Sequence, residues 1–171
     1  RRGRPLDLPG LATALARLSA RSLIIDAELV ACDAGGRCDM SALRRALSRG
    51  DERSLVVRCF DLLDLNGRDL RDEPLHKRQM ALAKLITRAR IPALLLSEGF
   101  VGDGAAVLAF AEANRLEGVV SKRRDASYRS GKTRDWLKIK TEHWRQTRAP
   151  EIAKSIERRN RARDKQKGRP S

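Results

Sequence analysis

"SLVVRCFDLLDLNG" (residues 54–67) is the stretch whose reading decides the fold. Its first twelve residues are mostly apolar and rich in valine and leucine, the composition of a strand buried in a sheet. Asn66-Gly67 then ends the run with two residues that tolerate positive φ, a signal for a tight turn. Upstream, "SLIIDAELVACD" (22–33) reads as a second strand. Ideal alternation places Ile24, Asp26, Glu28 and Val30 on one face and Leu23, Ile25, Ala27 and Leu29 on the other.

Around these strands the period changes. "PGLATALARLSA" (9–20) puts Leu11, Leu15 and Leu18 on one helical stripe. Ala34-Gly35-Gly36 signals a turn, and "MSALRRALS" (40–48) predicts a short helix. "EPLHKRQMALAKLITRAR" (73–90) predicts a helix with Pro74 near its first turn and basic residues at the end, where they suit the helix dipole. "ALLLSEGF" (93–100) is a third strand, and "GAAVLAFAEANR" (104–115) another helix. "LEGVVSK" (116–122) and "DWLKIKT" (135–141) are the last two strands. Strands and helices mix without strict β-α-β spacing, so the expected class is α+β. After about residue 149 only Ile152 and Ile156 are large aliphatics among many charges. Residues 146–171 are therefore expected to be a frayed helix and a disordered basic tail behind one domain, 1–145.

The 171 residues are enough to bury a core, and their net charge of +15 attracts polyanions, nucleic acid first. The competing reading is a solvated, arginine-rich surface. No run of 18 apolar residues and no signal-peptide pattern is found, which speaks against a membrane span or export. Cys32, Cys38 and Cys59 make an odd count without a C-x-x-C pair, so buried free thiols in a reducing cytoplasm are expected. His76 and His143 have no partner at metal-ligand spacing. The chain opens on Arg1 rather than Met, which reads as a processed or partial sequence.

Several residues have chemical potential. On strand 135–141, Trp136, Lys138 and Lys140 share a face, while Leu137 and Ile139 are expected to face the core. Two ammonium groups two residues apart lie about 7 Å from each other and reach one phosphate; an edge strand protected by lysines is the alternative. Asp26 and Glu28 share a face and suit Mg²⁺ or a ribose hydroxyl, or simply form a solvated side. Glu117, beside Gly118 in an apolar strand, must be hydrated, paired or on a metal. Its odd spacing from Lys122 sets the two on opposite faces of an ideal strand. "RSGKT" (129–133) fails as a phosphate-binding P-loop, because position 126 is Ala rather than Gly.

The order "IIDAELV", "FDLLDLNGRDL", "EGVVSK" and "YRSGKTRDWLKIK" resembles the later motifs of ATP-dependent DNA ligases. The likeness is greatest to the ligase module of bacterial non-homologous end-joining ligase D, and it runs from about residue 1 to residue 145. It implies a nucleotidyltransferase domain, of the kind shared with mRNA capping enzymes and ATP-grasp-like, with antiparallel sheets flanked by helices. It also implies ATP and Mg²⁺ as cofactors. By resemblance, Glu28 is the acid of the "DGE" motif, serving ribose and metal, and Phe60 stacks on adenine. Glu117 is the metal-linked glutamate, Lys138 and Lys140 neutralise the phosphate, and Lys122 belongs to the nucleotide pocket. Arg1 is the remnant of the early arginine of an "S-R-x-G" segment.

The sequence departs from the family in three ways. The nucleophilic "K-x-D-G" motif is absent: the one Asp-Gly is Asp103-Gly104, preceded at the lysine position by Val101. The motif is expected upstream of Arg1, so the chain is expected to be N-terminally truncated and unable to adenylate itself. Ala27 replaces a glycine and is expected to crowd the strand's back face. Nothing after "WLKIK" resembles an oligonucleotide-binding domain. The implied activity is sealing of nicked or broken duplex DNA in repair and recombination, with end-joining proteins as partners, no membrane, and a place at the nucleoid in the bacterial cytoplasm. The alternatives are a catalytically dead basic DNA-binding remnant, and an RNA ligase or capping-type enzyme.

Overall fold

The computed structural model describes residues 5–32, 38–97 and 99–167, with side chains through Arg158 and at Asn160. In chain order these form α1 (Pro9–Ala16), β1 (Leu23–Ala31), α2 (Met40–Arg49), β2 (Leu55–Leu65), β3 (Arg68–Asp69) and α3 (Leu75–Ala89). They continue with β4 (Leu94–Leu96), α4 (Gly104–Ala113), β5 (Gly118–Lys122), β6 (Trp136–Lys140) and α5 (Glu142–Lys167). The expected α+β class is what forms. The chain divides into two compact units, Arg1–Gly99 with Arg124–Lys132, and Phe100–Arg123 with Thr133–Ser171.

The first unit is organised by β2. One edge pairs antiparallel with β1, from Leu23↔Leu65 to Ala31↔Leu55. The other edge carries β3 antiparallel and β4 parallel. The Asn66-Gly67 turn has φ of 56° and 83°, the two positive values a two-residue hairpin of this type needs. The Asn66 carboxamide also accepts from Arg21 N at 2.7 Å, and the Asp64 carboxylate from Gly67 N at 3.1 Å, so the turn's polar groups are used.

Two register shifts interrupt the β1–β2 ladder, leaving Phe60 and Leu63 as extra residues on β2. Before the first shift Leu55 and Cys59 are buried; after it Leu62 takes the core position and Asp61 stands opposite Asp26. The main core joins Leu18, Cys59, Leu62, Leu70, Leu82, Ile86, Ile91 and Leu94. A smaller cluster joins Leu11, Ala31, Ala46 and Leu55 under α2. On β1, Leu23, Ile25, Ala27 and Leu29 pack against these clusters, as alternation requires. Ala27 sits in the packed face opposite Cys59, so its methyl group is accommodated.

Capping ties the helices to this core. Asp39 accepts from Ser41 N and Ala42 N at the start of α2, and Gly50, at φ 65°, ends it. The Glu52 carboxylate accepts from Gly10 N and Leu11 N, so α1 receives its N-terminal anion from a residue 41 positions downstream of Leu11.

Cys32 and Cys38 correct the expectation of free thiols. They face one another across an isolated antiparallel bridge, Cα to Cα 4.0 Å, and form a disulfide. Pairing across a chain reversal brings two cysteines together at a spacing with no motif, which is why counting them missed it. Cys59 is free and buried, as expected. The Ala34-Gly35-Gly36 turn lies outside the described residues.

The second unit holds α4, β5, β6 and α5. Asp103 caps α4 by accepting from Ala105 N. β5 and β6 make a two-stranded antiparallel sheet, from Gly118↔Lys140 to Lys122↔Trp136. Leu137 was expected to face a core but is 56% exposed, and Val120 is 50% exposed. Strand alternation specifies a side, not what covers it. α5 is helical through Lys167, with Pro150 inside it, across the segment expected to fray into a tail. Arg145, Arg148, Lys154 and Arg158 are exposed along it.

Candidate functional site

In an antiparallel ladder, directly opposed residues share a face. Gly118–Lys140, Val120–Lys138 and Lys122–Trp136 are such pairs, so Lys122, Trp136, Lys138 and Lys140 all stand on one face of β5–β6. Glu117 joins them, contrary to the alternation that opposed it to Lys122. It lies one residue before β5 begins, and Gly118 has φ 153°, so strand periodicity does not reach it.

The Glu117 carboxylate forms ion pairs with Lys138, at 3.1 Å, and with Lys140. The Lys140 hydrogen bond, with Lys138 adding to it, holds the Glu117 carboxyl below the usual glutamate range against an opposing effect of partial burial. Each outer lysine also lies over an indole. Lys122 Nζ is 4.1 Å from the Trp136 ring centre, and Lys140 Nζ is 4.2 Å from that of Trp144.

Thr141 fixes the corner behind this face. It is fully buried, and its hydroxyl donates to the Leu116 carbonyl at 2.6 Å. Its backbone N–H donates to the Glu117 carbonyl, and its Oγ1 accepts from Trp144 N at 3.2 Å. One side chain thus joins the approach to β5, the end of β6 and the first turn of α5.

In the first unit, Glu28 is exposed on β1 opposite Arg58, and Phe60 is the half-buried bulge residue two positions further along β2. Both expected nucleotide contacts therefore sit on the same pair of strands. The Phe60 carbonyl accepts from Gln79 Nε2 at 3.3 Å, which fastens the bulge to α3. Arg1 lies outside the described residues.

The same strands carry a buried polar network. Arg78 Nε and Nη2 donate to the two Asp61 oxygens, each at 2.8 Å, with both side chains fully buried. Arg78 Nη1 donates to the carbonyls of Glu73 and Ala126. The Tyr128 hydroxyl lies 3.5 Å from Asp26 Oδ2. Burial pushes the Tyr128 phenol up, and the neighbouring Asp26 charge pushes it further. Ala126 O also accepts from Leu75 N, and Tyr128 N donates to Arg71 O, so this loop is spent on binding its own unit.

Residues 8–140 match the family described as ATP dependent DNA ligase domain. The chain belongs to that family. The ligase domain is 38% identical over 133 residues to the multifunctional non-homologous end joining protein LigD of Pseudomonas aeruginosa, covering 78% of this chain and 16% of that protein. It is 34% identical over 142 residues to a probable DNA ligase of Saccharopolyspora erythraea, covering 80% and 27%. In fold it is similar to the ligase domain of LigD from M. tuberculosis, with TM-score 0.60 and 30% identity. It also resembles a mycobacterial DNA ligase D complexed with ATP and MES, with TM-score 0.61 and 33% identity. Each structural match covers 78% of this chain and 42% of the other. The chain thus spans well under half the length of the relatives it matches.

Sequence reasoning had missed several residues of this ligase domain. Asp61 and Arg78 carried one signal, an acid inside a strand otherwise destined for the core. Thr141 and Trp144 carried none, because their roles depend on how α5 leaves β6. Among the described residues no group of three or more His, Cys, Asp or Glu is placed to hold a metal. No helix there is long and apolar enough to cross a membrane.

Proposed function

We propose that the chain contributes the phosphate-binding face and much of the nucleotide pocket of a bacterial DNA ligase. The overall reaction has three steps. A lysine amine attacks the α-phosphate of ATP and pyrophosphate leaves. AMP then passes to a DNA 5′-phosphate, and a 3′-hydroxyl displaces AMP to close the strand. The observation that supports this is the Glu117 carboxylate held between Lys138 and Lys140 on one strand face. Two fixed ammonium groups stabilise the charge that builds on a phosphate under attack, and Glu117 keeps them together until the nucleotide arrives. Glu28 and Phe60, in the first unit, serve the ribose and adenine; in the second, Lys122 stands with Lys138 and Lys140 on the β5–β6 face and serves the nucleotide there.

Magnesium fits this donor set in a limited way. Mg²⁺ typically takes one or two carboxylates and completes its shell with water and substrate phosphate oxygens. Each unit offers one such carboxylate, exposed Glu28 in the first and Glu117, ionised at neutral pH, in the second; an ion bound by either would screen the triphosphate. The K-x-D-G nucleophile does not occur in these 171 residues, so the attacking lysine comes from outside them. The substrate is nicked or broken duplex DNA, held mainly through phosphates by a chain of net charge +15, with end-joining proteins as partners at the bacterial nucleoid.

Titration calorimetry with ATP tests this directly. Saturable binding is expected, weakened about tenfold or more by Lys138→Ala, the cost of one charged hydrogen-bond partner. Absence of ATP binding overturns the pocket. Incubation with α-labelled ATP and Mg²⁺ is expected to leave no label on a denaturing gel; a labelled band overturns the external nucleophile. The exposed basic residues of α5 support a second reading, a DNA-binding chain without nucleotide chemistry. That chain would show steep salt dependence and no response to ATP.

A further inference from the structure

We infer that Trp144 is a positioning residue for Lys140, an indole platform that holds the ammonium on the β5–β6 face while leaving its charge available to phosphate. This rests on the ATP pocket proposed above. Trp144 lies beyond residues 8–140, the span that matches the ligase family. Its role is therefore not one that the family match assigns.

Geometry sets Lys140 apart from its neighbour. The Lys140 side chain is 21% exposed and the Lys138 side chain 61% exposed, although both reach the same carboxylate. The difference is what covers Lys140: the Trp144 ring, 4.2 Å from its Nζ. The backbone that carries the ring is itself anchored, since Trp144 N donates to Oγ1 of fully buried Thr141. Lys140, Thr141 and Trp144 thus form a short rigid corner between strand and helix.

The chemistry distinguishes the two partners of Lys140. Glu117 is an anion, so an incoming phosphate must take its place beside the ammonium. An indole attracts the same ammonium through its quadrupole without neutralising it. Phosphate can therefore replace Glu117 while Trp144 stays in contact and keeps the long, flexible lysine chain directed across the sheet. Preorganisation of this kind gains affinity by removing an ordering cost from the binding step.

ATP affinity, measured by calorimetry on the full chain, tests the assignment through a double-mutant cycle. Trp144→Ala is expected to weaken ATP binding about two- to fivefold, the size of an exposed cation–indole contact, and Trp144→Phe to retain most of it. In a Lys140→Ala background, Trp144→Ala is expected to add no further loss; a purely structural tryptophan would add the same loss there. A second readout is fluorescence. The chain has two indoles, so the emission that Trp144→Phe removes from wild type is that of Trp144, and this difference is expected to shift on ATP addition as the charge beside the ring is exchanged. ATP binding with additive losses and unchanged Trp144 emission overturns this inference alone. A wild-type chain that binds no ATP overturns the pocket and the inference with it.

Discussion

Gly118 lies directly opposite Lys140 in the β5–β6 ladder, so close that a Cβ on Gly118 would stand 2.8 Å from Lys140 Cα and collide with the Ile139 carbonyl. Its φ of 153° is also unfavourable for any L side chain. Gly118→Ala is therefore expected to cost about 2 kcal/mol or more, combining backbone strain with forced separation of the strands. Gly131→Ala is the control: its φ is 90°, but open space surrounds it, so only the strain of about 1 kcal/mol applies. Chemical denaturation reads both. Equal costs would show that close approach at Gly118 does not hold the lysine face together.

Glu117 gives the face a pH dependence whose sign follows from its partners. Its folded pKa is lowered, chiefly by the Lys140 hydrogen bond. Such a group adds stability that is fully present above the ordinary value of 4.5 and disappears as pH falls through the lowered one. The stability difference between wild type and Glu117→Gln is expected to favour wild type at neutral pH and to shrink on acidification through that window. With the carboxylate side chain 55% exposed, the difference stays below about 1 kcal/mol and falls further with salt. Melting both proteins from pH 7 downward checks it; a gap that widens in acid reverses the assignment.

Arg78 and Asp61 are a fully buried bidentate pair, and their mutual dependence is asymmetric. Arg78→Ala leaves the Asp61 carboxylate buried without its cation, and is expected to cost about 3–5 kcal/mol. Replacing both, Asp61→Leu with Arg78→Met, removes the uncompensated charge and is expected to recover a large part of that loss. Urea denaturation of the two variants decides it. A double variant no more stable than Arg78→Ala would show that the Glu73 and Ala126 carbonyls, not Asp61, are what Arg78 chiefly serves.

Much of the fold was legible in the residues because its signals are local. The alternation of Leu23 to Val30 and the Asn66-Gly67 turn depend on near neighbours and form where expected, whereas the helix expected over 9–20 ends at Ala16 and Leu18 reaches the main core from the turn after it. What stayed hidden depended on the partner strand. The bulges at Phe60 and Leu63 exist only in the β1–β2 register, so Asp61 could not be assigned a face in advance. Glu117 was misplaced because the strand was started at Leu116, two residues too early, which turned an end effect into a rule of alternation. Its pairing with Lys138 and Lys140 required knowing that β5 and β6 are neighbours, which motif order supplied and periodicity did not.

The Cys32–Cys38 disulfide had no sequence signal either, and it makes the remaining thiol informative. The bond closes a loop of sequence separation 6, ahead of the Asp39 cap of α2. By loop-closure entropy so short a ring is worth about 2 kcal/mol, and reduction is expected to lower stability by that amount. Cys59 is fully buried, and burial pushes its thiol up to about 11, so it is neither ionised nor accessible in the folded chain. A thiol-reactive chromophore is therefore expected to label no cysteine in the native oxidised protein. It should label Cys32 and Cys38 after mild reduction, and Cys59 only on unfolding. A Cys32→Ser/Cys38→Ser variant should match the reduced protein in stability and lose its response to reductant. Native labelling of two thiols before any reduction would show the pair to be open.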